Sequence, residues 1–228
     1  MADRLSKDEL QNDALVTSYA YALEWYHNNK NLLFAGIAAL ILIVGGSIWY
    51  VTNTAQQQEQ AREAISFAEG QFLNGNYETA LFGNDEQGEP GLTEIISEYP
   101  RTTAGNLARY YAAVSYAELE DYTSALEMIR EYEVPEGVLG VAPVSLQGMI
   151  LMQLEDYEQA VEVFERAAGW DENESTTPFN LLNAGEAAYA AGNYTKAQEL
   201  ARRIQREFPD SQQAPRAMRL EGMVLAAE

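Results

Sequence analysis

The chain has 228 residues, of which 35 are acidic and 14 basic, a formal net charge of −21 that repels nucleic acid and anionic lipid and excludes both as ligands of its charged part. It has no cysteine, which removes disulfides and thiolate chemistry, and a single histidine, His27, which leaves little for metal binding. Three of the basic residues are lysine. High acidity with so few lysines suits either a high-salt medium or an ordinary acidic surface, and it speaks to solubility rather than fold.

In residues 1–30, Leu10, Ala14, Leu15, Tyr19, Ala22, Leu23 and Tyr26 recur at three- and four-residue intervals, which predicts an amphipathic helix. His27 beside Trp25 and Tyr26 reads as an interfacial residue rather than a ligand or base. Residues 31–51 are predicted to be a transmembrane helix. Leu32 to Val51 carries no charge, and about 1.5 Å of rise per residue takes such a run across the hydrocarbon core of a bilayer, with Trp25-Tyr26 and Trp49-Tyr50 at the two headgroup levels. The thirty-residue leader with its five acids, and the lack of a small-x-small site after the run, argue against a cleaved signal peptide. Arg4, Lys7 and Lys30 precede the span, whereas only Arg62 follows closely. This bias places the N-terminus in the cytoplasm and the C-terminal domain outside, in the periplasm of a bacterial inner membrane. Gly36 and Gly45-Gly46-Ser47 are open to either a lipid-facing or a helix-contacting reading, since only Ala35 and Ala39 meet the small-xxx-small spacing. Residues 52–60 are polar without Pro or Gly and are predicted to continue the helix as a stalk.

From residue 61 to 228 the sequence repeats itself. Gly75-Asn76-Tyr77-Glu78-Thr79-Ala80, Glu120-Asp121-Tyr122-Thr123-Ser124-Ala125, Glu155-Asp156-Tyr157-Glu158-Gln159-Ala160 and Gly192-Asn193-Tyr194-Thr195-Lys196-Ala197 align on their tyrosines. The spacing is that of one helical hairpin per unit, each with a helix, a turn, and a second helix that opens on an aromatic residue. Gly148, Tyr157, Ala160, Phe164 and Ala167 mark the third unit, and Gly185, Tyr194, Ala197 and Pro209 the fourth. The second has Tyr116, Tyr122 and Ala125, and the first is interrupted by Phe82 to Gly91. On these residues the chain resembles the tetratricopeptide-repeat family. The resemblance implies an all-α fold: one transmembrane helix, then a solenoid of about four hairpins closed by a C-terminal capping helix from Ser211 to Ala226. Val134 to Gly140 and Ala168 to Thr177 are expected to be turns between units.

No catalytic or metal site is expected, and no cofactor. The sequence holds no phosphate loop, nucleophile elbow or His-Glu-x-x-His run, and its acids cluster at hairpin turns as a solvated face. The acids of Asn84 to Glu89 do not alternate as a calcium loop needs.

In this family the first helices line a concave face. Its inward positions fall here on Ile65 and Phe72, on Leu107, Tyr110 and Val114, on Ser145, Met149 and Met152, and on Phe179, Leu182 and Tyr189. Of these, Tyr110, Val114, Met149, Met152, Phe179, Leu182 and Tyr189 are the expected partner-binding residues. Methionines beside aromatics suit a helix or an extended apolar segment. The alternative is a groove filled by the chain's own Gly83 to Gly91 insertion or C-terminal helix. The clamp of Arg, Lys and Asn that grips a C-terminal carboxylate in some relatives is absent from these positions. The layout resembles bacterial single-pass tetratricopeptide proteins ancillary to the Sec translocon, which implies a non-enzymatic scaffold. Its expected partners are proteins, either translocon subunits or a periplasmic chaperone, with lipid met by one helix and no nucleic acid. A scaffold in another membrane complex, or a regulator signalling through the cytoplasmic helix, fits the same layout.

Overall fold

The computed structural model describes residues 7–227, with side chains over 16–227. Arg4 lies outside the described residues, as do the side chains of Lys7, Leu10, Ala14 and Leu15, on which part of the orientation and amphipathic readings rest. Among the described residues the fold is all-α, with ten helices and one isolated bridge, Asn84 to Glu89. The chain divides into two compact units, Met1–Gln56 and Gln57–Glu228, a boundary a few residues before the expected start of the repeats.

The described part of the first unit lies in helix α1 (Lys7–Leu73), whose residues from 57 onward belong to the second. Within it, Leu42 is 75 % exposed and its neighbour Ile43 is 68 % exposed, so the apolar surface faces every direction rather than one stripe. Ser47 Oγ donates to the Ile43 carbonyl at 2.7 Å and Thr52 Oγ1 to the Ile48 carbonyl at 2.9 Å, so these hydroxyls are satisfied inside the helix. This helix is long and apolar enough to cross a membrane.

The second unit is a succession of helical hairpins, and what fixes each hairpin is local. Its helices after α1 are α2 (Tyr77–Phe82), α3 (Leu92–Glu98), α4 (Thr103–Glu118), α5 (Tyr122–Glu131), α6 (Val138–Gln153), α7 (Tyr157–Trp170), α8 (Thr176–Ala190), α9 (Tyr194–Glu207) and α10 (Ala214–Ala227). Each repeated tyrosine opens a helix, and each repeated alanine, Ala80, Ala125, Ala160 and Ala197, is fully buried. In the last three units the tyrosine is preceded by a residue whose side chain caps the helix: the Asp121 carboxylate accepts from the Ser124 amide at 3.1 Å, and Asn193 Oδ1 from the Lys196 amide at 3.1 Å. Hydrogen bonds from Ser124 hold the Asp121 carboxyl below its ordinary range. One residue earlier the chain must enter the left-handed region, with φ of 76° at Gly75, 62° at Glu120, 59° at Glu155 and 76° at Gly192. Two units therefore place a glutamate where a side chain is strained. Glu120→Gly and Glu155→Gly should each stabilise the second unit by about 0.5–1 kcal/mol, read as a rise in the urea midpoint of the fragment 57–228; a fall would show that the glutamate side chains hold the turns.

Phe82 to Gly91 divides the second helix of the first unit into α2 and α3, as the sequence indicates. The two expected turns are shorter than predicted. Helix α6 already begins at Val138, and Ala168 to Trp170 still belong to α7, with Thr176 opening α8. The cause is packing of the turn residues: the Trp170 indole donates to the Pro135 carbonyl at 3.1 Å and pins one connection against the end of α7. Asn106 exchanges two bonds with the Glu133 main chain, at 3.0 and 2.8 Å, and ties the same connection to α4. Close approach explains Gly148, where a Cβ would lie 2.7 Å from the Phe164 ring of the paired helix. The core runs as linked clusters, the first around Leu81, Leu92 and Ile95, a middle one around Ala125 and Ile150, and the largest around Phe164, Leu181, Leu200 and Ile204. That serial core is the expected result of hairpins that each bury a face only against the next.

Candidate partner groove

Helices α4, α6 and α8 are the first helices of successive hairpins, and between them opens a groove of about 490 Å³. Tyr110 and Val114 come from α4, Val141, Ser145 and Met149 from α6, and Phe179 from α8. The α6 residues run from Val138 to Met149, so the groove lies lengthwise along that helix. Among the described residues, no charged side chain lines it. Its apolar groups are accessible: Val138 is 59 % exposed, Met149 42 % and Phe179 36 %.

Two buried polar side chains, Ser145 and Asn180, also reach the groove. Ser145 Oγ lies 2.9 Å from the Val141 carbonyl and 2.7 Å from Asn180 Oδ1, and its one proton serves either acceptor. Asn180 Nδ2 donates to the Thr176 carbonyl at 2.9 Å. The pair is satisfied by its own helices, so the surface it leaves for a ligand is chiefly apolar. Burial pushes the Tyr110 phenol above its ordinary pKa, and its ring lies 5.5 Å from Tyr132.

The structure brings together Tyr110, Val114, Met149 and Phe179 of the expected residues. The others lie elsewhere. Met152 is half-buried against the core cluster of α7 and α8. Leu182 is fully buried in that cluster with Ala217 and Leu220 of α10, and therefore does not line an accessible face. Tyr189 sits in a shallow depression of about 150 Å³ beside Arg216, Leu220 and Met223, and packs on Tyr194 at 5.4 Å. Leu182 is buried because α10 packs on α8 through that cluster, whereas Tyr189 stands five residues before the repeated tyrosine, as Met152 does, and both turn toward the core rather than the groove. Ile65 and Leu107 border a separate, more polar cleft between the end of α1 and α4, together with Arg62 and Glu69. Phe72 stacks on Tyr111 at 4.5 Å. The Tyr111 hydroxyl donates to Glu69 Oε1 at 2.9 Å, and burial, with that bond, pushes its pKa up to about 12.

No residue of Gly83 to Gly91 lines the groove, and the C-terminal segment contributes only Gln213 ahead of α10. Among the described residues, neither the insertion nor α10 fills the groove. Sequence reasoning missed Val138, Val141, Leu146 and Asn180. The available signal was the run Val138–Gln153, sixteen helical residues without one charge in a strongly acidic chain.

Residues 151–219 match the tetratricopeptide-repeat family. No curated protein matches the chain. The matched stretch covers α7 to α9 and the start of α10, so α4 and most of α6 are placed in the repeat by their geometry. The match and the hairpin stack together support a protein-interaction scaffold, with proteins as its partners.

Proposed function

We propose that the chain is a membrane-anchored scaffold whose groove between α4, α6 and α8 holds an apolar segment of a partner protein. The observation that carries this reading is the open, charge-free groove, because accessible apolar surface lined by Met and aromatic side chains binds adaptable apolar ligands. The anchor is the apolar stretch of α1, whose outward-facing side chains are stable in lipid and costly in water. Lys30 at the edge of that stretch favours a cytoplasmic N-terminus and a periplasmic second unit in the inner membrane. The layout supports a place beside the Sec translocon, where newly exported chains expose apolar segments before they fold.

Purification of the full chain in mild detergent tests this placement. Translocon subunits or a periplasmic folding factor should accompany it; consistent recovery of an unrelated membrane complex instead would move the scaffold to that complex. Topology has its own test. A cysteine at the exposed position Gln212 should react with a membrane-impermeant thiol reagent in intact spheroplasts, and one at Ser6 should not. The opposite pattern would reverse the orientation.

A further inference from the structure

The groove is neutral, but the connections at the ends of its helices are not. The connections that lead into α6 and α8 carry Glu133 and Glu136, and Asp171, Glu172 and Glu174. At the far ends of α4 and α6 the turns carry Glu120 and Asp121, and Glu155 and Asp156. These four connections hold nine acids and no base. Among the described residues Arg203 pairs with Glu172 at 3.6 Å, and no basic side chain forms an ion pair with the other eight. The groove runs along α6, so a segment lying in it has one acidic rim at each end.

We propose that the occupant is an extended, uncharged apolar run with lysine or arginine at both ends. This rests on the reading of the groove as a partner site, and adds the chemistry of the partner. A charge inside the groove would lose its water against Met149, Phe179 and Val141 with no counter-ion, so the middle of the segment is apolar. At the rims the balance reverses, because basic groups there meet carboxylates that, Glu172 apart, have no basic partner among the described residues, while acidic groups meet like charge. Distance sets the length. Sixteen residues of α6 rise about 24 Å at 1.5 Å each, a span that about seven residues of extended chain cover at 3.3 Å each. An extended run presents alternate side chains to α6 and needs no fold of its own, as suits a segment captured before folding.

The test uses the full chain in nanodiscs of zwitterionic phosphatidylcholine, with empty nanodiscs as the blank. Three fluorescent peptides share one seven-residue apolar core and differ in their flanks: paired lysines, paired serines or paired glutamates. At about 0.02 M salt, where screening is weak, the lysine-flanked peptide should bind at least about tenfold tighter than the glutamate-flanked one, with serine between them. Raising salt to about 0.5 M should bring the three together. Glu133→Gln, Glu136→Gln and Glu174→Gln combined should shrink the low-salt preference while leaving the serine-flanked affinity unchanged; the Glu133 contacts to Asn106 use its main chain and survive. Equal binding of all three peptides at low salt would overturn the charge inference and leave the groove as a partner site. Binding of none of them, or binding untouched by Met149→Glu with Phe179→Glu, would overturn both.

Discussion

Ala160→Arg should unfold the C-terminal part of the second unit. Ala160 is fully buried at the point where the second helix of the third hairpin packs closest, within the cluster that holds Phe164, Leu181 and Leu200. A guanidinium there either stays buried without a partner or pushes α7 away from its neighbours, at a cost on the order of 3 kcal/mol or more. Against a domain stability of about 5–15 kcal/mol that is a large share, and in a serial core the damage spreads to the adjacent hairpins. Urea melts of the fragment 57–228 read the effect. Ala190→Arg, at an exposed position of the neighbouring α8, is the control and should melt as the parent does. An unchanged midpoint for Ala160→Arg would mean that the repeat register is wrong.

Met149→Glu combined with Phe179→Glu should do the reverse, leaving the fold and removing the function. Both side chains are more than a third exposed, so new carboxylates at these positions remain hydrated in the free protein and the melting temperature should stay near that of the parent. In the bound state the same carboxylates would face apolar surface without a counter-ion, which disfavours the complex by several kcal/mol, more than about a hundredfold in affinity. Partner recovery by the full chain in mild detergent should therefore be lost. A parallel fall in melting temperature would identify the two residues as structural, and intact recovery would put the working surface elsewhere.

The fold was largely legible because its determinants are local. A tyrosine opening a helix, an alanine three residues later and a residue able to take positive φ two positions before the tyrosine recur in all four units, and each recurs in the structure at the same place. The groove was legible only in part, because repeat position tells which way a side chain points and not what lies against it. Tyr110, Val114, Met149 and Phe179 face the groove between α4, α6 and α8 and are free to line it. Leu182 stands in the last hairpin where Tyr110 stands in the second, yet it is buried in the cluster that α10 joins, and no periodicity within α8 records that; Tyr189 stands where Met152 does, and both pack toward that cluster. Val138 was hidden for another reason. Its neighbours Pro135, Gly137 and Gly140 read as a turn, whereas the chain turns before Val138 and enters α6 there, which leaves that side chain at the mouth of the groove.

Site-specific photo-crosslinking in the membrane reads out whether this groove meets another protein. A photoreactive residue at Met149 in the full chain should label a second protein. The same residue at Glu162, on the exposed side of α7, should not. Labelling confined to the chain's own residues at Met149, or equal labelling from both positions, would show that the groove is not the partner site.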